Sequence, residues 1–161
     1  EFTVNIALVH QGQPVLGVIA LPAKNELNWG LVGDGAYRQL PEAESLPIHV
    51  SDRTDHLVAV GSRSHADPQE RELLDRHRDQ IARFTIAGSS LKGCRIASGE
   101  ADVYYRFGTT MEWDVCALHA IVEAAGGVVL DLSGNPLTYN HPSPKLSGFC
   151  VLNRKENFWL K

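Results

Sequence analysis

Gly108-Thr109-Thr110-Met111-Glu112-Trp113-Asp114-Val115-Cys116-Ala117-Leu118-His119-Ala120-Ile121-Val122-Glu123-Ala124-Ala125-Gly126-Gly127 decides how this chain folds. Val115, Leu118, Ile121, Val122 and Ala125 recur at helical spacing, which predicts a helix over 114–125 with one apolar stripe buried against a sheet. Gly126-Gly127 follows where a helix ends on a left-handed residue, so a glycine stops it there. Asp114 then lies at the helix N-terminus, where two roles are open. It can cap free backbone N–H groups, or it can be a carboxylate held rigidly for a metal that engages a phosphate oxygen. Trp113, like Trp29 and Trp159, reads as a packing residue, and Glu112 as a solvated one.

Upstream of this helix the pattern alternates. Val4, Ile6 and Leu8 interleave with Asn5, Ala7 and Val9, which is strand periodicity over 3–9. Gln11-Gly12-Gln13-Pro14 supplies a turn and 15–21 a second apolar run, giving an antiparallel hairpin. A further hairpin closes at Gly33-Asp34-Gly35, where glycine takes the positive φ of a tight turn. The polar, proline-bearing segment 41–47 reads as a connector. Beyond it, strands are expected over 57–60, 84–87 and 102–107, with helices over 67–81 and 90–101, then strands over 128–132 and 149–152. This order implies a sheet with helices packed on it. In the helix starting at Asp67-Pro68, Leu73, Leu74, His77 and Ile81 share the inward face. Glu70, Arg71, Asp75, Arg76 and Asp79 are expected to stay wet.

The chain has 161 residues, 43% apolar and 21% charged, enough for one domain with a real core. No apolar run approaches the roughly 20 residues that cross a bilayer, so no transmembrane segment is expected. The net charge of −4 argues against nucleic-acid binding, which needs a basic face, while a small anionic ligand remains open. Cys94, Cys116 and Cys150 are scattered and odd in number, without metal-ligand spacing, which fits a reducing compartment better than a disulfide framework.

Several polar residues are candidates for an anion. Lys92 offers a point charge and Arg106 a planar fork to phosphate oxygens. His65 lies in a Ser/Arg-rich loop after a strand, where a loop residue or a phosphate contact are both open. Ser89 can be a helix N-cap, a ligand contact, or both. The other histidines, among them His119 and His141, have no ligand-pair spacing and read as structural.

The Trp113-Asp114 dipeptide opening a helix that ends in Glu123-Ala124-Ala125-Gly126-Gly127 is similar to the second signature of the inositol monophosphatase superfamily. One departure is Cys116-Ala117-Leu118, where that family usually has Ala-Ala-Gly at a site of close packing. Gly61-Ser62-Arg63-Ser64-His65, Gly88-Ser89-Ser90-Leu91-Lys92, Ala97-Ser98-Gly99-Glu100-Ala101-Asp102-Val103-Tyr104 and Arg106-Phe107-Gly108 resemble its bisphosphate-nucleotidase (CysQ-type) branch. Lys92 is the discriminating residue, because inositol monophosphatases typically lack it.

The resemblance implies an α/β fold, a layered α-β-α-β sandwich of the sugar-phosphatase type that is incomplete at its N-terminus. Residues 1–45 would be the end of an antiparallel sheet region and 46–161 an αβ region carrying the site. It implies hydrolysis of the 3′-phosphate of adenosine 3′,5′-bisphosphate to AMP and phosphate, with Mg2+ as cofactor and lithium sensitivity, in sulfate assimilation and nucleotide recycling. His65, Ser89, Lys92, Arg106 and Asp114 would contact the nucleotide bisphosphate, and Asp114 would also be a magnesium ligand. An inositol-phosphate or related sugar phosphatase, and a non-catalytic nucleotide-binding fragment, are the alternatives. The family's other metal ligands and its water-activating residues belong to a signature upstream of Glu1, so the chain alone is expected to be inactive and to pair with that segment. The implied location is the cytoplasm, including the inner membrane face.

Overall fold

A computed structural model of the chain describes residues 2–62 and 67–160. The first sheet is an antiparallel meander of β1 (Val4–His10), β2 (Gln13–Leu21), β3 (Glu26–Leu31), β4 (Gly35–Gln39) and β5 (Leu46–Ile48), hydrogen-bonded in that order. The segment read as a connector thus contributes a strand, with Ala36 opposite Ile48 and Tyr37 opposite Pro47. Proline is tolerated there because β5 is an edge strand. The sheet therefore runs past residue 45, to Ile48.

The second sheet is mixed and ordered β10-β12-β8-β6-β7. It is built from β6 (Leu57–Gly61), β7 (Ile81–Ile86), β8 (Val103–Arg106), β10 (Val128–Leu130) and β12 (Phe149–Leu152). β6 runs parallel to both β7 and β8, whereas β12 is antiparallel to its two neighbours, β8 and β10. Helices α1 (Pro68–Arg76) and α2 (Leu91–Ala97) connect β6 to β7 and β7 to β8, and α3 (Glu112–Ala124) is the helix predicted from the opening stretch. A two-strand ribbon, β9 (Thr110–Met111) with β11 (Lys145–Leu146), brackets the start of α3.

Strand alternation explains the layers, since neighbouring residues face opposite sides. Val58, Val60 and Tyr104 point into one core with Ile96, Ile121 and Ile19. Leu57, Ala59, Val103 and Tyr105 point into the other with Leu73. The order is therefore α1, second sheet, α2 with α3, first sheet, which is the expected α-β-α-β layering. Helix α3 lies tightly on the first sheet because β2 and β3 have glycines beneath it. A Cβ on Gly17 would sit 2.1 Å from the Ala117 carbonyl oxygen, and one on Gly30 would sit 2.9 Å from the Ile121 Cα.

At Leu118 of the Cys116-Ala117-Leu118 stretch, close packing is met by a glycine on the neighbouring helix. Leu118 fills the space facing Gly93 of α2, where a Cβ would come within 2.9 Å of the Leu118 Cβ. Helix α3 ends as predicted. Gly126 has φ +92°, and the Gly127 N–H donates to the Val122 carbonyl at 2.9 Å.

Candidate active site

The carboxyl ends of the parallel strands β6, β7 and β8 come together, and in open α/β sheets this is where a crevice forms. Here it is a cleft of about 930 Å³ whose walls include Ser62, Gly88 and Phe107 just beyond those strand ends. Ser89, Lys92, Arg106 and Asp114, distant in sequence, all line it. His65, the remaining candidate, lies outside the described residues.

Lys92 is not the solvated cation that a lone lysine suggests. It is 3% exposed, its Nζ donates to the Ser89 carbonyl at 3.4 Å, and the same nitrogen lies 5.0 Å from the centre of the Tyr104 ring. Cation–π contact and a carbonyl hold the charge in place. Arg106 is half-buried and folds over its own turn, Nε donating to the Gly108 carbonyl at 3.3 Å and Nη2 to the Thr109 carbonyl at 3.2 Å. Burial pushes the Tyr104 hydroxyl up, against a hydrogen bond and the charge from Arg106.

Ser89 does not cap α2. Its φ is +50°, outside the helix, and its hydroxyl is 2.7 Å from that of Thr3, the residue before β1. Ser90 occupies the cap position instead and sends its hydroxyl to the Asp114 carbonyl at 3.3 Å, tying the starts of α2 and α3 together.

Asp114 takes up the first of the two roles left open by its position, that of a cap. It is the third residue of α3, and its Oδ2 accepts the Met111 N–H at 3.3 Å and the Thr110 hydroxyl at 3.0 Å. The carboxylate is nevertheless exposed in the cleft, oriented by those bonds. As a donor set for magnesium it is chemically apt, a hard oxygen, but single. Among the described residues no group of three or more His, Cys, Asp or Glu gathers to hold a metal.

Three residues depart from expectation. Glu70, expected to be wet, is 6% exposed and lines the cleft. Burial is the main cause that pushes its carboxyl up to about 7. Lys92 and Arg106 pull it down, and Asp67 adds to the rise by its charge. The signal was present in the sequence: Glu70 lies three residues before Leu73, on the face that α1 turns inward. Glu112, read as solvated, is 8% exposed and accepts the Asn140 N–H at 2.8 Å and His141 Nδ1 at 2.6 Å. Burial raises its carboxyl, but the bonds from His141 and Asn140 outweigh that and hold it below its ordinary value. Trp113, read as packing, is 60% exposed beside Asp114.

The three cysteines are free and buried, and burial pushes the Cys94 thiol up to about 12 and Cys116 to about 11. No helix among the described residues is long and apolar enough to cross a membrane.

Residues 1–157 match the model of the inositol monophosphatase family. The chain is 43% identical over 139 residues to the 3′(2′),5′-bisphosphate nucleotidase CysQ of Shigella flexneri, covering 86% of this chain and 54% of that protein. The crystal structure of CysQ from Bacteroides thetaiotaomicron superimposes with a TM-score of 0.86 at 39% identity, covering 96% of this chain and 64% of that one. An IMPase of Thermotoga maritima superimposes with a TM-score of 0.72 at 28% identity, covering 94% and 56% respectively. The chain spans about half the length of the curated relatives it matches.

Proposed function

This chain belongs to the inositol monophosphatase family, and from that membership we propose that it forms part of a magnesium-dependent 3′(2′),5′-bisphosphate nucleotidase that converts adenosine 3′,5′-bisphosphate to AMP and phosphate. The observation that carries this reading is the cleft, which gathers the buried ammonium of Lys92, the guanidinium of Arg106 and the oriented carboxylate of Asp114. Two fixed cations suit a ligand with two phosphates, because charge-assisted hydrogen bonds to phosphate oxygens are the strong ones. Similarity to proteins named bisphosphate nucleotidases supports the substrate class.

In this reading Lys92 and Arg106 hold and orient the nucleotide's phosphate oxygens, while the tie from Ser90 to the Asp114 backbone carbonyl anchors the helix start and the bonds from Thr110 and Met111 orient the Asp114 carboxylate. Asp114 supplies one magnesium ligand. When bound, magnesium polarises the phosphoryl oxygens, lowers the pKa of a water and stabilises the departing alkoxide. Water oxygen bonds to phosphorus as it gives up one proton, the bond to the ribose 3′ oxygen breaks, and a proton is returned to that oxygen to give the free 3′ hydroxyl.

The remaining ligands and the water-activating group are assigned to the part of the enzyme outside this chain. The first sheet offers that part a surface, since β1 exposes Val4, Ile6 and Leu8 at 50, 62 and 58% on its outer face. Apolar surface of this extent marks an interaction site. The buried free thiols fit a reducing, cytoplasmic setting.

Phosphate release from adenosine 3′,5′-bisphosphate by the complete enzyme tests the reading. Magnesium-dependent release is expected, and Lys92→Ala should lower kcat/KM for the nucleotide by about 10- to 100-fold, the worth of a hydrogen bond to a charged group. An equal loss on inositol phosphate would redirect the assignment to a sugar phosphatase, and absence of release would overturn it.

A further inference from the structure

Glu70 lines the cleft, and the hydrolysis outlined above makes no use of it. Its carboxyl turns inward because β6 ends on Gly61. A Cβ there would lie 2.8 Å from Glu70 Oε1 and 2.5 Å from the Phe84 ring, so only glycine leaves the carboxyl its place. The elements around it bring charges of both signs to the same cleft. Lys92 comes from α2, Arg106 and the Tyr104 hydroxyl from β8, Asp67 from the residue before α1, and Asp114 from α3 across the cleft; β7 contributes the apolar Phe84.

The two cations offset part of the cost of burying this carboxylate, and they do so only while no other anion joins them. A phosphate dianion bound to the same cations brings like charge to the carboxylate, and like charge favours the protonated form. A protonated carboxyl, in turn, becomes a hydrogen-bond donor.

We propose that Glu70 is a proton-linked specificity residue of the phosphate cradle: ionised beside Lys92 and Arg106 when the cradle is empty, protonated and donating to a phosphate oxygen when a nucleotide phosphate occupies it. The proton comes from solvent, up to one for each phosphate dianion bound as the free carboxyl becomes fully ionised with rising pH, and no covalent bond changes. The free carboxyl already titrates near neutrality, its ionisation held back by burial, so little free energy separates the two states. The consequence is a site whose affinity for phosphate falls as pH rises through the neutral range, independently of the chemical step.

This inference rests on the nucleotidase reading, and the experiment separates the two. Calorimetry of the complete enzyme with AMP and magnesium, in buffers of contrasting ionisation enthalpy between pH 7 and 8.5, counts the protons taken up. Proton uptake on binding is expected in the wild type, with affinity falling by about tenfold per pH unit where uptake approaches one proton. In Glu70→Gln the uptake should vanish and the affinity become flat across this range. Uptake absent from the wild type overturns the proposal whatever the variant does, and undiminished uptake in a folded Glu70→Gln assigns the proton to another group and overturns it equally. Release of phosphate from adenosine 3′,5′-bisphosphate is followed in parallel: turnover without proton linkage sinks only the role of Glu70, whereas neither turnover nor AMP binding sinks both readings.

Discussion

Asp102 and Glu70 are two carboxylates shut away from water at opposite ends of the same parallel strands, and the fold treats them in opposite ways. Asp102 precedes β8, is 0% exposed, and accepts from Arg53 Nε at 2.8 Å, from the Val58 N–H at 2.6 Å and from the Ser51 hydroxyl. Asn153 extends this network, donating to the Ser51 and Arg53 carbonyls. The Arg53 ion pair and the bonds from Val58 and Ser51 meet the carboxylate on every side, so it fastens the 51–53 segment to the second sheet. Glu70 lies beyond the carboxyl end of β6 with its charge only partly offset, and its carboxyl sits near neutrality. A buried carboxylate with complete partners is scaffold, whereas one left short of partners in a cleft can change charge when a ligand arrives.

The sharpest way to break this contrast is to remove the scaffold member. Asp102→Ala strips the acceptor from the Val58 N–H and from Arg53, and should destabilise the complete enzyme by about 4 kcal/mol in urea unfolding. A loss under 1 kcal/mol would show that the network is ornamental to stability.

Glu70 should respond with the opposite sign. Its folded pKa lies above its unfolded one, so between about 4.5 and about 7 the folded protein keeps a proton that the unfolded chain has lost, and stability declines as pH rises through that window. Glu70→Gln removes the penalty. The free enzyme should gain stability at pH 8, on the order of 3 kcal/mol at most, and show no gain at pH 4. Thermal unfolding at the two pH values measures it; equal effects at both would remove the contrast with Asp102.

Glu112 supplies the smallest and finest comparison, a carboxylate at the start of α3, two residues before Asp114, whose partners come from the 140–141 segment. Its folded pKa is depressed, so its contribution is present above its unfolded pKa and lost as pH falls. Glu112→Gln should cost about 1 kcal/mol at pH 7. The difference from wild type should shrink toward pH 4. A pH-independent difference would mean that the hydrogen bonds from Asn140 and His141 do not depend on the charge.

The three carboxylates also show how much could be read in advance. Helix α3, its glycine stop and the position of Asp114 followed from local spacing. So did the two hairpins at the start of the chain and the division of later residues between strands and helices, with ends differing by a few positions. Glu70 was legible in principle, because its phase with Leu73 is a property of α1 alone, but charge argued for the wet side and proved the weaker guide. The burial of Glu112 was not legible, since its partners Asn140 and His141 return from 28 and 29 residues further on. Strand β5 was hidden by Pro47, and the exposure of Trp113 ran against the ordinary habit of its side chain.

By itself, then, the sequence determined the local elements, the family resemblance and the residue types suited to phosphate, because periodicity, turn chemistry and motif spacing act over a few neighbours. Only the tertiary structure decided that Ser89, Lys92, Arg106 and Asp114 share one cleft, that Ser90 rather than Ser89 stands at the N-cap position of α2 and ties it to α3, and that Glu70 faces Lys92 and Arg106 instead of water. Those outcomes depend on how sheet and helices stack, and burial, which sets the electrostatics of each charge, comes into being only when distant segments meet.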